Sequence, residues 1–198
     1  MVPSRRRVAG FSFVEILVSI VVLSLGLLGA VAMLMTSVRS MGETAAFTSG
    51  VHLVRELSES VRINGNVSST ADRAVNPYLL GDLKSTDSPP CALTGTSCVG
   101  PGASCDARTL AAWEMCRWVG RVRSSLPEAR VAVCFDDRPL DAAGEGPGWH
   151  CTDSGRTLVV KLGWKPRIGS PQESSPDAGP RVVAQLVSAH GDSDSGGP

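Results

Sequence analysis

The chain has 198 residues, with 19 basic and 19 acidic side chains and hence no formal net charge. That balance argues against a surface built for nucleic acid or acidic lipid, and no basic patch with interleaved aromatics occurs. The length leaves room for one small domain beside a long apolar segment, not for two.

Near the start, Arg5, Arg6 and Arg7 precede Val8-Ala9-Gly10-Phe11-Ser12-Phe13-Val14-Glu15. An apolar run of 25 residues extends from Phe11 to Met35, broken only by Glu15 and by small or hydroxyl residues. At 1.5 Å per residue a helix of this run is about 37 Å long, enough to cross a hydrocarbon core of about 30 Å. A secretory signal has an apolar core of about 7–15 residues and a small-residue cleavage site. This run is longer, and no clear Ala-x-Ala follows it. The basic flank favours a cytoplasmic amino terminus and an extracytoplasmic remainder. Glu15 has no use in a bare anchor, because an acidic residue at a helix centre in the bilayer costs about 2.5–3.5 kcal/mol, less near an end. A carboxylate kept there calls for a partner charge, which need not belong to the same chain.

The basic leader, Gly10-Phe11, Glu15 and the apolar run together resemble the class III signal of type IV pilins and type II secretion pseudopilins. The resemblance implies that a prepilin peptidase cuts between Gly10 and Phe11 on the cytoplasmic side and methylates the new terminus of Phe11. It also implies that Glu15 serves subunit assembly by meeting the ammonium group of a neighbouring subunit. The plainer alternative is an ordinary single-pass anchor with a chance glutamate.

The helix is expected to continue beyond the membrane, since no proline occurs between Pro3 and Pro77. Apolar residues recur at Val51, Leu53, Val54, Leu57 and Val61 with helical spacing. A helix from Phe11 to about Ile63 would be about 80 Å long, its first half in lipid and its second laying an apolar stripe on a head. Gly26, Gly29, Gly42 and Gly50 each cost about 1 kcal/mol relative to Ala where exposed, and serve either local flexibility or close helix contact. Arg55 and Glu59, four apart, are placed to pair.

After Asn64 the pattern changes. Gly65 to Thr70 and Ser85 to Ser104 are turn-rich. Asp106 is positioned to cap a second helix over Ala107–Ser125, with Leu110, Trp113, Cys116, Val119 and Val122 as its apolar face and Pro127 beyond its end. Alternation predicts strands over Ala129–Phe135 and Thr157–Trp164, and Arg181–Ala189 is a third candidate. Gly144–Gly148 and Ser170–Pro180 read as connections. The order gives an α+β fold: a long amino-terminal helix, one further helix and an antiparallel sheet. The expected organisation is leader 1–10, transmembrane segment 11–35, helix continuation 36–64, periplasmic head 65–191 and a disordered tail 192–198.

Cys91, Cys98, Cys105, Cys116, Cys134 and Cys151 all fall in the head. An even count in a small exported domain reads as disulfides. Their spacings of 7, 7, 11, 18 and 17 contain no close pair of the kind zinc sites use, so no metal or cofactor is expected. Six cysteines allow fifteen pairings; Cys134–Cys151 is favoured because each flanks a strand across a Gly/Pro-rich connection. Of the three histidines, His52, His150 and His190, His52 lies on the long helix near no obvious Ser or Cys nucleophile; no hydrolase elbow, phosphate loop or zinc-protease motif is present, so no enzyme is expected. Asp136-Asp137 before Arg138-Pro139 reads as a solvated turn.

Further residues narrow the resemblance. Val21-Val22-Leu23-Ser24-Leu25-Gly26-Leu27-Leu28-Gly29 is similar to the Ser-Ile-Gly-Leu-Leu-Gly stretch of the type IV pilus modification proteins, the PilV class of minor pilin. Arg62-Ile63-Asn64 resembles that family's Arg-Ala-Asn helix end, with Ile63 in place of Ala. Trp113, Leu126-Pro127 and Trp164 fall in the family's order. Six cysteines and the long Ser170–Pro180 connection depart from it. The resemblance implies a minor type IV pilin that acts in pilus assembly initiation, biogenesis or modification. Its implied partners are other minor and major pilins, prepilin peptidase, the inner-membrane assembly platform and the bilayer. A minor pseudopilin of a type II secretion system is the alternative.

Overall fold

The computed structural model describes residues 10–88, 98–139, 148–166 and 179–186. Cys91, the tail 192–198 and most of the Ser170–Pro180 connection lie outside them. The chain divides into two compact units, Met1–Gly42 and Glu43–Pro198.

Helix α1 runs over Phe13–Ile63, beginning two residues later than the sequence suggests. Within the first unit its apolar side chains are exposed, including Val14, Leu17, Val21, Leu25, Leu28 and Met35. In the second unit the same helix buries Gly50, Leu53, Val54, Leu57 and Val61. Val51, expected in that stripe, is 44% exposed. It lies about 100° around the helix from Gly50, outside the band that the three- and four-residue steps define. Glu59 lies 4.0 Å from Arg62 rather than pairing with Arg55 as expected. Such exposed neighbours contribute a few tenths of a kcal/mol, too little to fix one partner.

A single turn, α2 (Gly65–Ser68), follows. Strand β1 (Leu80–Lys84) leads to helix α3 (Ala107–Ser125), then β2 (Arg130–Phe135), β3 (Leu158–Gly163) and β4 (Val182–Leu186). The four strands form one antiparallel sheet in the order β1-β2-β3-β4. The fold is therefore α+β, with one strand more than the sequence suggests. Strand β1 carries Gly81 and Asp82, residue types depleted in strands. Its two leucines are three apart, so a regular strand would point them to opposite faces. A register shift between them corrects this: Leu80 pairs with Val133 and Leu83 with Val131, so both lean on the core.

Helix α3 begins where the sequence places it. The Asp106 side chain accepts a hydrogen bond from the Thr109 N–H at 2.7 Å, satisfying a first-turn donor. This bond, more than any other contact, holds the exposed Asp106 carboxyl below its ordinary range. The buried face differs from the expected one: it is Ala111, Met115, Trp118, Val119 and Val122. Leu110, Trp113 and Cys116 are only half-buried. Two helical stripes of similar apolarity, each with one Trp, compete here, and the one whose indole N–H meets a buried acceptor packs inward. Trp118 is 2% exposed and donates its indole N–H to the Leu53 carbonyl of α1 at 2.7 Å, so its one polar atom is satisfied on burial. Trp113 instead lies under the Arg117 guanidinium, 4.7 Å from the ring centroid.

The core lies between α1, α3 and one face of the sheet. Val131, Val133 and Phe135 of β2 and Leu158, Val160 and Leu162 of β3 point into it. Registers such as Val133↔Val160 place these side chains in cross-strand pairs. Trp164, just past β3, lies against Gly50 so closely that a Cβ there would stand 2.8 Å from the ring. Of the two roles open to the helix glycines, Gly50 serves close contact.

Candidate functional site

The segment around Gly10, Phe11 and Glu15 is the first candidate. Gly10 is exposed, and Phe11 and Phe13 are 80% and 79% exposed. Helical hydrogen bonding begins with the Ile16 N–H donating to the Ser12 carbonyl at 3.2 Å. Phe11 therefore stands just outside α1, while Glu15 lies in its first turn. The first-turn N–H groups lack helical partners, and the helix dipole there favours a negative charge. Glu15 is thus compatible with the helix electrostatically, but its side chain stands exposed among apolar neighbours.

The rest of the segment suits lipid. An 18-residue window of α1 reaches a mean hydropathy of 2.7 with none of it buried. Three of its hydroxyls are satisfied internally: Ser19 donates to the Glu15 carbonyl at 2.6 Å, Ser24 to Ile20 at 2.7 Å and Thr36 to Ala32 at 3.1 Å. Each bonds one turn back, so none presents an unmet donor to hydrocarbon. Gly26 and Gly29, three apart, have open space where a side chain would be. They leave a flat patch on which another helix can approach closely.

The family model of the prokaryotic N-terminal methylation motif matches residues 5–31. The chain carries a prepilin-type methylation signal. No curated protein and no solved structure matches it. The matched residues include Gly10, Phe11, Glu15 and the Gly26–Gly29 pair, and they end inside the apolar half of α1. The signal points to a structural, pilin-like protein anchored by its apolar helix.

In the head, the cysteines sort into bridges. Cys98 is bonded to Cys105 and Cys134 to Cys151, with Cα–Cα distances of 5.7 and 6.3 Å. Cys116 is also disulfide-bonded. Cys134, Asp136 and Cys151 bring potential metal ligands within 4.8 Å of one another, but both sulfurs are already joined in the bridge.

Asn64 closes the end of α1. Its amide donates to the Ala107 carbonyl at 2.7 Å and lies 3.5 Å from the Tyr78 hydroxyl. Tyr78 in turn donates to Glu114 at 2.7 Å. Burial, reinforced by the Glu114 carboxylate, pushes the Tyr78 phenol well above the ordinary tyrosine value. This network ties the α1 terminus to the start of α3, and it gives the Asn64 position a structural reason.

The sequence reading of Asp136 as a solvated residue is overturned. Asp136 and Lys161 form an ion pair at 2.6 Å with side chains 0% and 1% exposed. Asp136 also accepts from the Arg138 N–H at 3.0 Å and the Thr152 hydroxyl at 3.2 Å, and Lys161 donates to the His150 carbonyl. Burial alone would raise the Asp136 carboxyl; Lys161 and these donors outweigh it and hold it below its ordinary range. Asp137 is exposed, as a turn residue should be. The signal available beforehand was the lone lysine in the apolar strand Leu158–Gly163, which needs a partner if its face is covered.

Proposed function

We propose that this chain is a minor type IV pilin acting in pilus assembly initiation or pilus biogenesis. The observation that carries the reading is the methylation signal over residues 5–31, set on an exposed apolar helix that continues into a small disulfide-bonded α+β head. In this reading prepilin peptidase cuts between Gly10 and Phe11 and methylates Phe11. The apolar half of α1 anchors the chain in the inner membrane, and the head lies in the periplasm.

Cleavage gives Phe11 an α-ammonium with a pKa of about 8, charged at neutral pH, and methylation keeps that charge. Glu15 pairs with the ammonium of a neighbouring subunit. Either charge alone is costly in lipid, and together they cost far less, so the pair selects one axial register of docking. The partners are other minor and major pilins and the inner-membrane assembly platform.

The test is co-purification of a tagged chain with other pilins from its own cells. Glu15→Val should insert and lose its leader normally, because the apolar run becomes more hydrophobic, yet recover fewer pilin partners. Recovery of partners at wild-type level would remove the assembly role of Glu15. Recovery of secretion pseudopilins in place of pilus subunits would move the chain to the type II secretion system.

A further inference from the structure

The outer face of the sheet, turned away from α1 and α3, carries Arg130, Ala132 and Cys134 of β2 opposite Gly163, Lys161 and Val159 of β3. Ala132, Cys134, Val159 and Lys161 are all buried, so this face is covered. Among the described residues the segment 148–155 lies over this face, with Pro180 beside Gly163, and side chains fasten the segment at successive points. A Cβ on Gly163 would stand 2.8 Å from the Trp149 ring, and the Arg130 guanidinium stacks on that ring at 4.3 Å. The His150 carbonyl accepts from Lys161, Cys151 is bonded to Cys134, and Thr152 donates to Asp136. Asp153 reaches Arg73 at 3.1 Å across exposed surface.

Two of these fastenings serve the buried ion pair directly. With the cover in place, Lys161 and Asp136 exchange water for a carbonyl and a hydroxyl. With the cover lifted, both charges regain water. Desolvating two charges opposes closure, and a covalent tie beside them holds the cover against that tendency. Cys134 and Cys151 supply the tie within 4.8 Å of the Asp136 carboxylate.

We propose that residues 148–155 form a redox-locked cover over the outer face of the sheet, with the Cys134–Cys151 bond as its lock and the Asp136–Lys161 pair as the groups it shields. Oxidised, the cover is shut. Reduction by a dithiol transfers two electrons and two protons to the Cys134–Cys151 bond, giving two thiols here and a disulfide in the reductant. The cover then opens locally, while the helix-side core stays folded.

The chain contains its own controls, because its lysines are Lys84, Lys161 and Lys165. Lys84 is exposed and Lys165 is 47% exposed, against 1% for Lys161. The experiment is acetylation of the full-length protein in detergent by an N-hydroxysuccinimide ester, read lysine by lysine by peptide mass spectrometry. In the oxidised protein Lys161 should react at least about tenfold more slowly than Lys84 and Lys165, as expected of a site that reacts only through local opening. The variant Cys134→Ala with Cys151→Ala should bring Lys161 close to their rate without reductant. Removing the other bridge, by Cys98→Ala with Cys105→Ala, should leave Lys161 protected. Amide exchange on the same samples should show β2, β3 and α3 still protected in the Cys134/Cys151 variant. Lys161 that stays protected in that variant overturns the proposal. So does protection lost throughout the head, which would make the bridge a global staple and not a lock on one segment.

Discussion

Replacing Gly50 by Ala sets two known effects against each other. Gly50 lies in α1, so Ala should favour the helix by about 1 kcal/mol from backbone entropy alone. The new methyl, however, would stand 2.8 and 3.0 Å from two atoms of the Trp164 ring and 3.7 Å from Leu162. The ring has little room to retreat. Trp164 is 5% exposed, Phe47 packs on it at 6.2 Å between centroids, and the Arg181 guanidinium lies 5.4 Å from its centroid. Forcing a methyl into a packed core costs about 1–3 kcal/mol. The net expectation is a loss of about 1 kcal/mol, or about 2–4 °C in Tm for a unit of this size. Gly120 supplies the opposite case. It is a helical glycine of α3, exposed, with nothing near its missing Cβ. Gly120→Ala should therefore raise Tm by a similar amount. The assay is thermal unfolding of the full-length protein in detergent, followed by tryptophan fluorescence. A Gly50→Ala protein that melts at or above the wild-type temperature would refute the close-contact argument.

Four further outcomes are expected. Gly10→Val should keep its leader, so mass spectrometry of membrane-extracted protein should find Arg5–Gly10 still attached; normally trimmed and methylated Phe11 would count against the signal. Lys161→Met strands Asp136 as a buried charge and should cost about 3–5 kcal/mol, whereas Lys161→Met with Asp136→Leu should recover most of that loss in denaturant titrations. Trp118→Phe should lose about 1 kcal/mol for the bond to Leu53, and Trp118→Ala about 3–5 kcal/mol once its cavity is included. For pH, Asp136 is depressed in the folded state, so its contribution is present above the unfolded carboxyl value of about 3.9 and is lost as pH falls through the folded value. Tyr78 is raised, so its contribution is present below the unfolded value of about 10 and is lost as pH climbs above it. Unfolding curves taken across pH should show both limbs, and the alkaline one should be weakened in Tyr78→Phe.

Features encoded by neighbours along the chain could be read without the structure. The methylation signal and the apolar segment are contiguous runs. The start of α3 is set by Asp106 against Thr109, three residues on, and β2 and β3 announce themselves through alternation. The pairing of Cys134 with Cys151 is the one their places on either side of the Gly/Pro-rich connection suggest. The remainder depends on distant residues meeting. Strand β1 needs its bulge against β2 before Leu80 and Leu83 share a face. The buried stripe of α3 is chosen by Trp118 finding a carbonyl 65 residues earlier, at Leu53. Asp136 reads as a turn acid until β3 brings Lys161 beside it and 148–155 closes over both. Local hydrogen-bonding and hydrophobic periodicity act over three or four residues, so sequence determined the helices and the signal. Burial and desolvation are properties of the assembled core, so only the tertiary structure decided which face packs and which charge is sealed inside.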